Sequence, residues 1–406
     1  MPSKESDAGL SLGRLVKFMG LLWLAGIAMR MTLLAMPPVI PLVHDELHMS
    51  ETQVGLLIGL PLAIFAAAAV PGSLLIARIG TGLAVLLGMV ITAVASGARG
   101  AAVGVGTLYA ATIAMGFGIA IMQPGLPTLV REWAPNRIAL GTLAYSAGMV
   151  VGATLPPALT FSFVLPLIGG GWRGDLIFWA VPTILIVPVF FFLSPKRDEH
   201  HDGILAIGGR WWPQWNSPLL WLLGLTFASN TAPFYSANAF IGDYLTNAGK
   251  ADLLSWALGW LNGAQIFAFV VLFVLSSRLQ RRPWPFLVFG PIMLVGFVCL
   301  MLQPSPFWIV FGASCIGIAT AITMTALLAL PPVLSAPADL SRTAAGMFTI
   351  SYSCAIIIPT FSGALWDFTG KPWTTFVPSS LCAVALTVMG AFLVRFPPAG
   401  EAGEDR

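Results

Sequence analysis

The amino-acid sequence predicts an all-α polytopic membrane protein with twelve transmembrane helices, and three observations carry that expectation. Of its 406 residues 57% are hydrophobic and 9% charged, against about 25% charged in a soluble globular domain. Apolar runs recur at the length a spanning helix needs, about 20 residues. The cations gather on one side of those runs, as the positive-inside bias requires.

The spans read as 16–43, 52–77, 81–101, 106–130, 138–165, 174–194, 218–244, 254–277, 285–303, 306–330, 342–366 and 373–395. The first holds Arg30 at its centre and Pro37-Pro38 beyond it. The second carries Gly55, Gly59 and Pro61, and a turn over Gly80 and Gly82 leads into the third. The fourth runs from Gly116 through Gln123 to Pro127, and the fifth carries Gly148, Gly152 and Pro156-Pro157. The sixth ends at the longest polar connection, 195–217, "SPKRDEHHDGILAIGGRWWPQWN". Its Trp211, Trp212 and Trp215 suit a segment at the headgroup level. The seventh carries Asn230 and Tyr235, and the eighth Gly263-x-Gln265. A basic turn, Arg278 to Arg282, precedes the ninth, and the tenth leads into the eleventh with Tyr352.

Orientation follows from the 20 Lys and Arg residues. With a cytoplasmic N-terminus, fifteen lie on that side. Arg99, Arg173, Lys250 and Lys371 lie opposite, and Arg30 is left within the membrane. Both termini are therefore expected inside, at the inner (plasma) membrane. The 195–217 connection divides the chain into an N-terminal six-helix bundle (1–194) and a C-terminal one (218–406).

The two parts share a pattern. "GFGIAIMQPGLPTLVREWAPNRIALGTLAYSAG" from Gly116 and "GIATAITMTALLALPPVLSAPADLSRTAAGMFTISYS" from Gly317 both place a proline near a helix end. Each then shows Arg-x3-Gly (Arg137/Gly141, Arg342/Gly346) and an aromatic-serine pair (Tyr145-Ser146, Tyr352-Ser353). Two parallel six-helix repeats holding a substrate between them near the midplane is a transporter design.

Four stretches resemble the major facilitator superfamily, and within it the cyanate permease branch. They are Met29-Arg30 with Pro38 and Pro41; Gly116-x-Gly118-Ile119-x-Ile121-x-Gln123 with Pro127; Asn230 with Gly263-x-Gln265; and the turn Arg278 to Arg282. The resemblance covers nearly the whole chain and implies the major facilitator fold, alternating access and a monomer. Ala77 stands where the superfamily has an acidic residue in "SLLIARIGTG", Ala28 and Met31 replace the branch's Asn and Pro, and Ala239-Phe240-Ile241 replaces its Trp-x-Pro.

Arg30 is the leading binding candidate. A charge at a helix centre costs about 2.5–3.5 kcal/mol on insertion scales, and a guanidinium offers five donors matched to carboxylate-like anions. The competing reading pairs it with an embedded acid or lets it snorkel. Yet about nine helical residues separate mid-span from each interface at 1.5 Å rise. Asp45, Glu46, Glu51, Glu132, Asp175, Asp243, Asp252, Asp339 and Asp367 all fall at or beyond span ends. Companion candidates are the mid-span Gln123, Tyr145, Asn230, Tyr235, Gln265 and Tyr352, each of which could instead tie helices together at about 0.6 kcal/mol.

With His44 and His48 read into the first external loop, no embedded acid or histidine is expected. Transport is then uniport, anion exchange, or symport in which a proton rides with a weakly acidic substrate. Cys299, Cys315, Cys354 and Cys382 lie in apolar runs without metal-ligand spacing. No metal, cofactor or nucleic-acid partner is expected, and His200/His201 read as solvated linker. No HExxH or GxSxG is present, which argues against an enzyme, and no long soluble segment supports a receptor. The leading function is transport of a small, cyanate- or carboxylate-like anion; the alternative is efflux of a hydrophobic or weakly acidic compound.

Overall fold

The computed structural model describes residues 12–195, 212–268, 283–302, 305–328, 330–335 and 339–393, and all regular structure in them is helical. Helix α1 runs Leu12–Leu47, broken at Ala35. Pro37 and Pro38 follow at once and supply no N–H to the ladder. Then come α2 (Glu51–Ile79), α3 (Thr81–Gly100), α4 (Val105–Trp133), α5 (Ile138–Leu159) and α6 (Trp172–Leu193). A wide π turn over Thr160–Val164 prolongs α5, just after Pro156-Pro157 remove two donors. Gly80, at φ 85°, makes the turn between α2 and α3, a conformation open to glycine.

The remaining helices are α7 (Pro218–Asn247), α8 (Leu254–Gly263, helical again over 265–268), α9 (Trp284–Leu302), α10 (Pro306–Leu328), α11 (Leu340–Thr369) and α12 (Val377–Leu393). Among the described residues, 10 helices are long and apolar enough to cross a membrane. Helices α7 and α8 complete the twelve, each beginning where the sequence predicts. Large apolar side chains such as Leu185, Phe191, Phe192 and Leu381 are exposed on the outer surface, the surface a bilayer covers. This is a multi-pass membrane protein. His200/His201, Trp211 and the Arg278–Arg282 turn lie outside the described residues; Trp215 sits between Trp212 and Trp221 at the start of α7, ring centroids 6.4 and 6.3 Å away.

The packing of the first six helices recurs in the last six: α1 lies on α5 as α7 lies on α11, α3 on α4 as α9 on α10, α3 on α6 as α9 on α12. Gly148 makes the α1–α5 approach possible, because a Cβ there would stand 2.0 Å from the Trp23 carbonyl oxygen. Across the two sets, α2 meets α11, α5 meets α8, and α1 and α2 meet α7. Helix α7 is buried almost without interruption from Thr226 to Leu245. That places its polar residues against protein, where their hydrogen bonds can be met.

Candidate functional site

Arg30 projects from the middle of α1 toward α7, and its Nη1 donates to the Tyr235 hydroxyl oxygen at 2.7 Å. A second link runs parallel to it: Gln123 Nε2 of α4 donates to the Tyr352 hydroxyl of α11 at 2.9 Å. The Tyr352 ring stacks on Phe348 at 5.8 Å and meets Phe65 edge-on at 5.7 Å. Four of the seven predicted site residues thus form two pairs, each joining the first six helices to the last six. Among the described residues, none of the ion pairs includes Arg30. The site presents one cation, an amide and two phenols within an aromatic wall, and can hold an anionic or strongly polarised solute.

The other three candidates lie elsewhere. Asn230 faces α10, accepting from Thr323 Oγ1 at 2.7 Å and donating to the Thr320 carbonyl at 3.3 Å. Its amide serves packing among the last six helices. Tyr145 is half-buried on α5, its backbone carbonyl against Gly26 of α1. Gln265 is half-buried on α8 and makes no side-chain hydrogen bond among the described residues.

Two expectations are corrected by the structure. Arg99, read as an aqueous cation because it ends α3, is 2% exposed. Its side chain turns into the bundle, donating Nη1 to the Thr32 carbonyl at 2.8 Å and contacting Met115 Sδ at 3.1 Å. A charge count along the chain carries no information on which way a long side chain points. Arg30 is therefore one of two membrane-embedded arginines among the described residues without an ion-pair partner.

The acids and histidine at the helix ends are also less aqueous than expected. His44 belongs to α1 rather than to a loop. Its Nδ1 lies 3.1 Å from Asp243 Oδ2 on α7 and 3.8 Å from Glu51 Oε1 on α2, with both carboxylates buried. These three residues bring one ligand atom each to within 4.8 Å of one another, a grouping able to take a cation. Asp367 of α11 accepts from the Glu51 and Thr52 backbone N–H groups at 3.0 and 2.9 Å, and from Thr52 Oγ1. The end of the bundle opposite Leu12 and Leu393 is thereby tied across both sets of helices. No spacing signal could reveal this, since the partners are 199 to 316 positions apart.

A 2-nitroimidazole transporter of Escherichia coli (strain K12) is 24% identical over 93% of this chain and 94% of its own length. The cyanate transport protein CynX of the same organism is 24% identical, covering 92% of this chain and 96% of the relative. Among solved structures, a D-xylose-proton symporter superposes with a TM-score of 0.75 at 12% identity, covering 95% of this chain and 98% of that one. The model of the Major Facilitator Superfamily matches residues 22–358. With twelve helices in a repeated packing and that match across most of its length, the chain belongs to the Major Facilitator Superfamily and is a transporter of a small solute, not an enzyme.

Proposed function

We propose that the protein moves a small anion, cyanate- or carboxylate-like, across the inner membrane by alternating access, with Arg30 as charge anchor. The observation that carries this reading is the Arg30–Tyr235 bond. It puts an arginine with no carboxylate partner among the described residues on the seam between the two sets of helices. An unpaired ion in a low-dielectric site is costly unless a counter-ion arrives, and a substrate anion is that counter-ion. Tyr235, Gln123 and Tyr352 supply neutral donors around it. The 1–194 and 218–406 bundles would rock about this seam, with both termini cytoplasmic, and the protein would act as a monomer. The cyanate transporter among the relatives agrees with an anionic substrate.

A second reading has its own support. The aromatic wall of Phe65, Phe348 and Tyr352 and the nitroimidazole-transporting relative fit a flat, polarised heteroaromatic solute. Purified protein titrated with cyanate, small carboxylates and 2-nitroimidazole in a thermal-shift assay separates the two. Stabilisation by an anion that disappears in Arg30→Ala supports the first reading; normal transport in both Arg30→Ala and Arg30→Lys overturns it.

A further inference from the structure

A narrow cavity lies beside the Arg30–Tyr235 pair, bounded by Arg99, Thr112 and Tyr235, with Leu34, Pro37 and Ile58 among its apolar walls. It has room for about one water-sized particle. Arg99 and Thr112 are both almost fully buried. Each holds an unsatisfied donor: Arg99 Nε and Thr112 Oγ1 have no hydrogen-bond partner among the described residues. The Tyr235 oxygen accepts from Arg30, which leaves its own hydroxyl hydrogen free to donate.

The chemistry of this lining is one-sided. A guanidinium has donors and no acceptor, and hydroxyls can turn theirs inward. Among the described residues, none of the ion pairs includes Arg99. Part of its role is structural. Arg99 Nη1 donates to the Thr32 carbonyl just before the break of α1 at Ala35. A bond to a neutral carbonyl does not neutralise the charge, and an ion left uncompensated in the interior is costly to bury. Arg30, the other embedded arginine outside the ion pairs among the described residues, reaches the same tyrosine.

The geometry points to a second anion site: a halide-sized monovalent anion sits in this cavity, held by Arg99, Thr112 and Tyr235. It is separate from the substrate anchor and does not depend on Arg30 binding substrate. Because Tyr235 touches both, the anion neutralises the field of Arg99 next to the transport site and steadies the tyrosine that Arg30 grips.

The test uses the purified full-length protein, with sodium chloride or bromide titrated against sodium gluconate at constant ionic strength. Gluconate is too large for the cavity. The melting temperature rises saturably with halide in the wild type and in Arg30→Ala, and Arg99→Gln abolishes that rise. Thr112→Val, close in shape to the wild type, keeps the fold and weakens the halide half-saturation about tenfold, the worth of a hydrogen bond to a charge. Bromide-soaked crystals show an anomalous peak between residues 99, 112 and 235. A wild type indifferent to halide, a response unchanged in Thr112→Val, or a bromide-free cavity each overturns the proposal. Loss of the halide response in Arg99→Gln with intact Arg30-dependent substrate stabilisation separates this site from the substrate site.

Discussion

His44 Nδ1 and Asp243 Oδ2 meet at 3.1 Å, joining α1 to α7 at the end of the bundle opposite Leu12 and Leu393. Glu51 stands on the other side of the imidazole, 3.8 Å away, and Asp367 reaches over from α11 to hold the first turn of α2. The His44–Asp243 and Asp367 ties cross between the first and last six helices. If the proposed Arg30 site is reached from this end, a state open to it must break both ties together.

Replacing Asp243 removes the acceptor at the centre of this seal. Asp243→Ala is expected to raise hydrogen exchange in the last turn of α1 and the first of α2, and to leave the α9–α10 contact unaffected. Exchange mass spectrometry of the two proteins reads this directly. Equal protection in both would mean that His44 and Asp243 do not hold the face shut.

Asp367→Ala strips two backbone N–H groups of α2 of their acceptor. A lost helix-terminal acceptor costs about 0.5–2 kcal/mol, so the melting temperature falls and residues 51–54 exchange faster. The effect should be larger than that of a change at the exposed Gln53, where Ser50 still caps the helix.

For the proposed substrate site, Arg30→Ala is expected to weaken anion binding by about a hundredfold or more, the loss of hydrogen bonds to a charge. Arg30→Lys keeps the charge but not the fork, and falls between. Tyr235→Phe removes one neutral hydroxyl and costs about three- to tenfold. Isothermal titration with the stabilising anion measures all three.

Asn230→Ala should behave differently. Its amide is engaged with Thr323 and Thr320, so about 1 kcal/mol of stability is lost while anion affinity stays unchanged. A drop in affinity with an unaltered melting temperature would return Asn230 to the substrate site.

Gly59→Val tests the contact between α2 and α11. A Cβ at residue 59 would lie 2.7 Å from the Ile356 Cα, too close for the helices to keep their spacing. The variant should lose the arrangement in which the far face is sealed, seen as faster exchange at both His44 and Asp367.

The class, the twelve helices and, within the described residues, most of their bounds to within a few positions were legible in the sequence alone. Apolar run length and the positions of Gly and Pro are local quantities, and a bilayer leaves helices few alternatives. It also picked out Arg30, because a guanidinium at mid-span is costly wherever it points. The pairings came from tertiary structure alone. That Tyr235 rather than Asn230 faces Arg30 depends on the rotation of α7, which is buried on all sides and carries no amphipathic stripe to reveal it. That Arg99 turns inward, and that His44 finds Asp243, depends on side-chain direction and on contacts between residues 16 to 199 positions apart. Helix ends look aqueous in a linear reading. Only the folded bundle decides which of them are sealed.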